Sequence, residues 1–134
     1  MSEPFEWSRP VEFYETDLAG IAHFSNFYRW MESAEHAFLR SRGITLHDGE
    51  VGWPRVHCEA DFKKPIKFGE SVRIQVTVVE VRTRSVRYGF KFLNASDELC
   101  ATGEIVAACV SLAEMKAVEI SPNLRKILTG PYKK

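Results

Sequence analysis

The hydrophobic positions change period along this chain, and the changes mark its elements. From Glu6 to Glu15 apolar and polar residues alternate: Phe5 and Trp7, then, after a phase slip near Arg9-Pro10, Val11 and Phe13. A strand with a bulge or an edge position at Pro10 fits, because proline has no N–H to give a ladder. Asp17 to His23 loses the alternation and contains Gly20, so it reads as a loop. From Phe24 the period becomes helical. Phe24, Phe27, Tyr28, Met31, Ala34 and Phe38 recur at three- and four-residue spacing and define one apolar face. Ser25 or Asn26 offers an N-cap oxygen and Gly43 a stop, which predicts a helix over about Ser25 to Arg42. Trp30 and Ala37 widen its apolar surface, so something should wrap around much of it.

After a Gly-containing connection, Asp48 to Pro54, the pattern is that of strands. Val56 to Phe62 is a weak one. Val72, Ile74, Val76 and Val78 alternate with polar residues, as do Val86, Tyr88, Phe90 and Phe92. Ile105 to Leu112 is apolar at nearly every position, which predicts a central strand covered on both faces. Asn94-Ala95-Ser96-Asp97 suits a hairpin turn, and Ser121-Pro122 suits the start of a short helix, Pro122 to Leu128, closed by Gly130. One long aromatic-rich helix followed by strands points to an α+β layer arrangement in a single domain spanning residues 1–134.

Composition changes little in this picture. A chain of 134 residues with 45% hydrophobic content buries a core without staples. Eighteen basic and eighteen acidic residues cancel, which argues against a nucleic-acid partner. No signal peptide precedes Phe5 and no apolar run reaches bilayer length, so a soluble, cytoplasmic protein without a membrane partner is expected. Cys58, Cys100 and Cys109 lie in apolar runs without metal-ligand spacing and are expected as buried, reduced thiols. The four histidines form no HxH or HExxH pattern, so no metal site is expected.

The candidate chemistry sits where strand gives way to helix. Asp17 precedes a Gly-containing loop that runs into a helix N-terminus, where backbone N–H groups lack intrahelical partners. The amides of His23, Phe24 or Ser25 are placed to polarise a carbonyl beside that carboxylate. The plainer alternative makes Asp17 a turn residue bonded to its own backbone, and His23 a side chain bonded near the helix start. Glu32 either lines the same cleft or is solvated. The basic stretch Arg82, Arg84, Arg87 and Lys91 surrounds a strand-to-strand turn and suits phosphate as well as solvent.

The segment YETDLAGIAHFSNFYRWMESAEHAFLR resembles the signature of the 4-hydroxybenzoyl-CoA thioesterase family of hot-dog-fold proteins: a strand, an Asp, a Gly three residues later, and an aromatic-rich helix. The resemblance extends over about residues 6 to 115. It implies a long helix wrapped by an antiparallel sheet, and hydrolysis of an acyl-CoA thioester without a cofactor. It places Asp17 as nucleophile or general base, Phe24 as the carbonyl-polarising amide, and Gly20 and His23 in the loop between them. Glu32 falls on a position associated with the substrate's phenolic hydroxyl, and Arg82, Arg84 and Ser85 fall near a turn that contacts CoA phosphates. Homodimers or homotetramers with sheets joined edge to edge are implied as well. An enoyl-CoA hydratase or dehydratase on the same fold, and a non-catalytic acyl-CoA binding module, remain alternatives.

Overall fold

A computed structural model describes residues 4–44 and 49–130. The first strand, β1 (Phe5–Pro10), is followed by a 3-10 turn at Phe13–Glu15, a loop, and the long helix α1 (Ser25–Ser41). Five more substantial elements follow: β3 (Arg55–Phe62), β4 (Ser71–Val81), β5 (Ser85–Leu93), β6 (Leu99–Ala108) and the helix α2 (Pro122–Thr129). The short strands β2 (Val51–Gly52), β7 (Val110–Ser111) and β8 (Lys116–Ala117) form a separate small sheet. The main sheet is antiparallel in the order β1-β4-β5-β6-β3, with α1 against one face. This is the α+β arrangement that the hydrophobic periods predict.

The packing follows from those periods. Val72, Ile74, Val76 and Val78 of β4 turn inward with Val86, Tyr88, Phe90 and Phe92 of β5. The register sets Ile74 opposite Phe92, Val76 opposite Phe90 and Val78 opposite Tyr88. Aromatic and β-branched side chains thus meet across the strands, the pairing that favours a half-buried sheet. Onto this surface α1 presses Phe27, Trp30, Met31, Ala34, Phe38 and Leu39, all buried. Each such large side chain contributes roughly 1.5–3 kcal/mol by leaving water. Met31 comes so close to β6 that a Cβ on Gly103 would stand 2.4 Å from its sulfur, so a larger residue there requires Met31 to move.

Several boundaries differ from the sequence expectation. The strand expected to reach Glu15 stops at Pro10, on the sheet's edge. Phe13 continues the alternation but is 75% exposed, and its residues form the 3-10 turn. β6 begins at Leu99 rather than Ile105, because Ala101 and Cys100 are buried by virtue of small size rather than apolar pattern. It lies second from the edge, and Val106 and Ala108 on its outer face are only half-buried. The chain leaves the main sheet there, and Val110 and Ser111 join the small one. Asp48 and His47 fall outside the described residues, while Val51 and Gly52 of the expected connection form β2. Cys100 and Cys109 are buried, but Cys58 is exposed, since β3 is an edge strand that α1 covers less than β4 and β1. The Asn94 turn is held by its side-chain oxygen, which accepts from the amides of Ser96 and Glu98. Helix α2 starts as expected, with Ser121 Oγ accepting the Leu124 amide. Among the described residues no helix is long and apolar enough to cross a membrane.

Candidate active site

The loop between the 3-10 turn and α1 closes on itself. Thr16 bridges Ala22, the Asp17 amide donates to the Ile21 carbonyl (3.0 Å), and the Gly20 amide donates to the Asp17 carbonyl (3.0 Å). Gly20 has φ +77°, a left-handed conformation that glycine adopts without strain, so its role in the loop is to turn it. Asp17 Oδ1 accepts the Ala19 amide at 2.8 Å, the local turn bond that aspartate commonly makes. Oδ2 has no protein donor among the described residues. The turn reading and the chemical reading of Asp17 are thus compatible, because one oxygen anchors the side chain and the other stays available.

The helix start was expected to be capped by Ser25 or Asn26, and neither does this. Phe24 is the N-cap residue without a side-chain cap bond. The Ser25 amide instead donates to His23 Nδ1 (3.3 Å), whose ring also contacts Ser25 Oγ at 2.8 Å. With Nδ1 accepting, the neutral ring carries its proton on Nε2. The His23 amide donates to the Glu15 carbonyl at 2.8 Å. Of the three amides that the sequence nominates, His23 and Ser25 are therefore occupied, and Phe24 N–H alone lacks an acceptor among the described residues. Accounting for donors one by one singles out the Phe24 amide, because a backbone N–H at a helix start is paired or left for a ligand.

Asp17, His23 and Phe24 border a cleft of about 540 Å³, whose walls include Ile21, Phe27, Phe62 and Ile66. The far wall, Phe62 to Ile66, comes from the end of β3 and the turn after it. It is tied in by the Lys63 and Lys64 amides on the Cys100 carbonyl and by the Ala22 amide on the Ile66 carbonyl (2.7 Å). Asp17 and Phe24, whose Oδ2 and amide lack protein partners among the described residues, thus border one largely apolar chamber. Among the described residues no group of three or more His, Cys, Asp or Glu is placed to hold a metal ion.

The model of the Thioesterase-like superfamily matches residues 11–128, from the start of the loop region to the end of α2. The chain belongs to the Thioesterase-like superfamily. It is similar to a 1,4-dihydroxy-2-naphthoyl-CoA hydrolase from Prochlorococcus marinus, 29% identical over 92% of this chain and 81% of that protein. Its fold is that of a 1,4-dihydroxy-2-naphthoyl-CoA thioesterase from Synechocystis (TM-score 0.87, 23% identity, 92% of this chain and 94% of that one). A hypothetical protein from Aquifex aeolicus is similar too (TM-score 0.88, 26% identity, 94% and 100% covered). The hot-dog architecture implied by the sequence is the architecture of this thioesterase, and the chain is an enzyme of thioester hydrolysis.

The remaining candidate residues of the thioesterase are not brought to the cleft within one chain. Glu32 is exposed and pairs with Arg55 of β3 at 3.2 Å. Arg82, Arg84 and Ser85 form the β4–β5 turn at the other end of the sheet. Ser85 starts β5, whereas Phe92, level with Phe62 through Ala101, sits at the cleft end. Seven residues of strand separate them, roughly 23 Å. The Arg82 guanidinium is engaged by Glu80 (3.0 Å), and the turn's carbonyls accept from Arg125 of α2, at 2.8 Å for Arg82 and 3.2 Å for Thr83. Arg125 was not visible as a partner, since α2 and this turn are some forty residues apart.

The burial of two carboxylates, Glu15 and Glu35, was not anticipated from the sequence. Glu15, 4% exposed, accepts from Arg9, from the Glu12 amide and from Trp30 Nε1. Glu35, fully buried on the inner face of α1, accepts from Arg55 Nη1 (3.0 Å) and Nη2 (2.5 Å). Burial pushes the Glu35 carboxyl up to about 7, against the opposing pull of Arg55. The available signal for Glu35 was its spacing: it follows Met31 by four residues, which puts it on the apolar stripe.

Proposed function

We propose that this thioesterase hydrolyses an acyl-CoA in the Asp17 cleft, releasing free acid and CoA. The observation that carries the reading is that Asp17, with one oxygen unpaired, and Phe24, with its amide unpaired, border the same apolar chamber. The thioester carbonyl oxygen accepts the Phe24 N–H at the positive end of α1, which stabilises the oxyanion as the carbonyl is attacked. Asp17 then serves in one of two ways. As nucleophile it bonds to the carbonyl carbon, the C–S bond breaks, CoA leaves as thiolate, and water cleaves the resulting anhydride. As general base it takes a proton from the water that attacks. A thiol leaves readily as thiolate, so neither route requires a strong general acid, a metal or a redox cofactor. Gly20 shapes the loop, and His23 holds the helix start through the Ser25 amide.

Phe24, Phe27 and Phe62 give the chamber aromatic walls, which suit a planar acyl group. The Prochlorococcus relative, named for a dihydroxynaphthoyl thioester, supports the same preference. The assembly we propose is a homodimer, or a homotetramer made of two such dimers, built on the open edge of β3. Antiparallel pairing of two β3 strands turns the partner's sheet end for end. It carries Arg82, Arg84 and Ser85 of the partner subunit to the end that holds this chain's cleft, where they can meet CoA phosphates. In one chain Glu32 ties α1 to β3 instead of lining the cleft, so a phenol-recognition role for it also depends on the partner.

The test is free-thiol release from a panel of aromatic, short-chain and long-chain acyl-CoAs. Turnover highest on the aromatic members is expected. Absence of thiol release from every member, or hydration of crotonyl-CoA without thiol release, would overturn the reading in favour of a binding module or a hydratase.

A further inference from the structure

Five donors converge on Glu15, two residues before Asp17. Its carboxylate Oε1 accepts from Arg9 Nη2 (2.5 Å) and the Glu12 amide (2.9 Å), and Oε2 accepts from Trp30 Nε1 (3.0 Å). Its peptide oxygen accepts from the His23 amide (2.8 Å) and from Asn26 Nδ2 (2.7 Å). The Arg9 guanidinium also lies over the Trp30 ring, 5.4 Å from its centre. The residue therefore joins β1, the first and second turns of α1, and both limbs of the Asp17 loop. A carboxylate removed from water is stable only with such charge-assisted partners, and once they are in place it is rigid.

The position of this junction gives it a chemical consequence. The chain leaves Glu15 towards Asp17 on one side, and on the other the bonded His23 amide directly precedes the Phe24 N–H. On the reading that these two groups act on one thioester, their separation must let the carboxylate reach the carbonyl carbon while the amide reaches the carbonyl oxygen. We infer that Glu15, gripped by Arg9 and Trp30 and gripping His23 and Asn26, is a positioning residue that sets the Phe24 amide against the Asp17 carboxylate. It touches no substrate atom. Asn26, half-exposed beside the helix start, is the part of the grip that can be removed with least disturbance to the core.

The experiment compares Asn26→Ala and Trp30→Phe with the unaltered enzyme, each alone and combined with Asp17→Asn. Trp30→Phe keeps the buried ring and deletes the N–H. Misplacing a reacting pair by about 1 Å costs up to roughly 100-fold, so kcat should fall roughly 10- to 100-fold in each single variant with KM little changed. The thermal midpoint of Asn26→Ala should stay near that of the unaltered protein. In the Asp17→Asn background neither change should lower the residual rate further, because the geometry they protect no longer matters. Full kcat in both single variants, or losses that persist undiminished beside Asp17→Asn, would overturn the inference while leaving the proposed function intact. Should Asp17→Asn itself retain activity, the proposed function fails and this inference with it.

Discussion

The two halves of α1 each hold a buried carboxylate against an arginine, and they put the pair to different uses. At the N-terminal half, Glu15 has its side chain bonded by Arg9, Trp30 and a backbone amide, and its peptide oxygen organises the loop beside an open cleft. At the C-terminal half, Glu35 is fixed by Arg55 across to the edge strand β3, in a part of the core where the described cleft does not reach. Beside the first pair the Phe24 N–H has no acceptor among the described residues. A buried ion pair is thus not in itself a sign of chemistry; what marks the cleft end is that Asp17, with one oxygen unpaired, and Phe24, with its amide unpaired, border the same cleft.

That contrast can be broken at either end. At the helix start the largest effect is expected from Phe24→Pro. Phe24 has φ −56°, close to the value a proline ring demands, so the change deletes the amide proton with little cost to the backbone. Loss of one oxyanion donor predicts a fall in kcat of roughly 10²–10³-fold, whereas Phe24→Leu, which keeps the N–H, should stay within a few-fold. Steady-state rates on the best acyl-CoA decide between them. Equal losses in the two variants would assign the effect to the ring instead.

At the other end, Arg55→Met removes the partner of a buried carboxylate and should destabilise the fold by roughly 3–5 kcal/mol, read from denaturant unfolding. The rate per folded molecule should be spared, since Arg55 does not line the cleft. A smaller effect concerns pH. The folded protein holds a proton on Glu35 up to about 7, whereas an unfolded glutamate loses it near 4.5. Below about 4.5 the stabilisation is fully present, and it is lost as pH rises to about 7, a decline of about 3 kcal/mol at about 1.4 kcal/mol per pH unit. Glu35→Gln should abolish that decline. Unfolding free energies measured between pH 4 and 8 that fall equally in both proteins would remove Glu35 as its source.

Much of the fold was legible because local periods carry it. The stripe from Phe27 to Phe38 places α1 within one residue of its observed end, and the alternations in β4 and β5 identify their inward faces. The strand order was not legible, since pairing β3 with β6 and β1 with β4 joins residues about forty or more positions apart. The Asp17 loop could be located from Gly20 and the change of period. The opposite wall of the cleft, Phe62 to Ile66, could not, because nothing in a local pattern says which distant segment will face a helix start. Glu15 escaped for a related reason: its five donors come from four separate stretches of chain. Phe13 misled, as an apolar residue in phase with a strand that had already ended.

The central claim is that one carboxylate, Asp17, performs the attack or activates the water that does. The most direct measurement is free-thiol release by Asp17→Asn on the best acyl-CoA, paired with equilibrium binding of CoA. The asparagine keeps the turn bond from the Ala19 amide but surrenders the charge, so turnover should fall roughly 10²–10⁴-fold while CoA binding is retained. A variant that binds CoA normally and keeps most of its turnover would contradict the account.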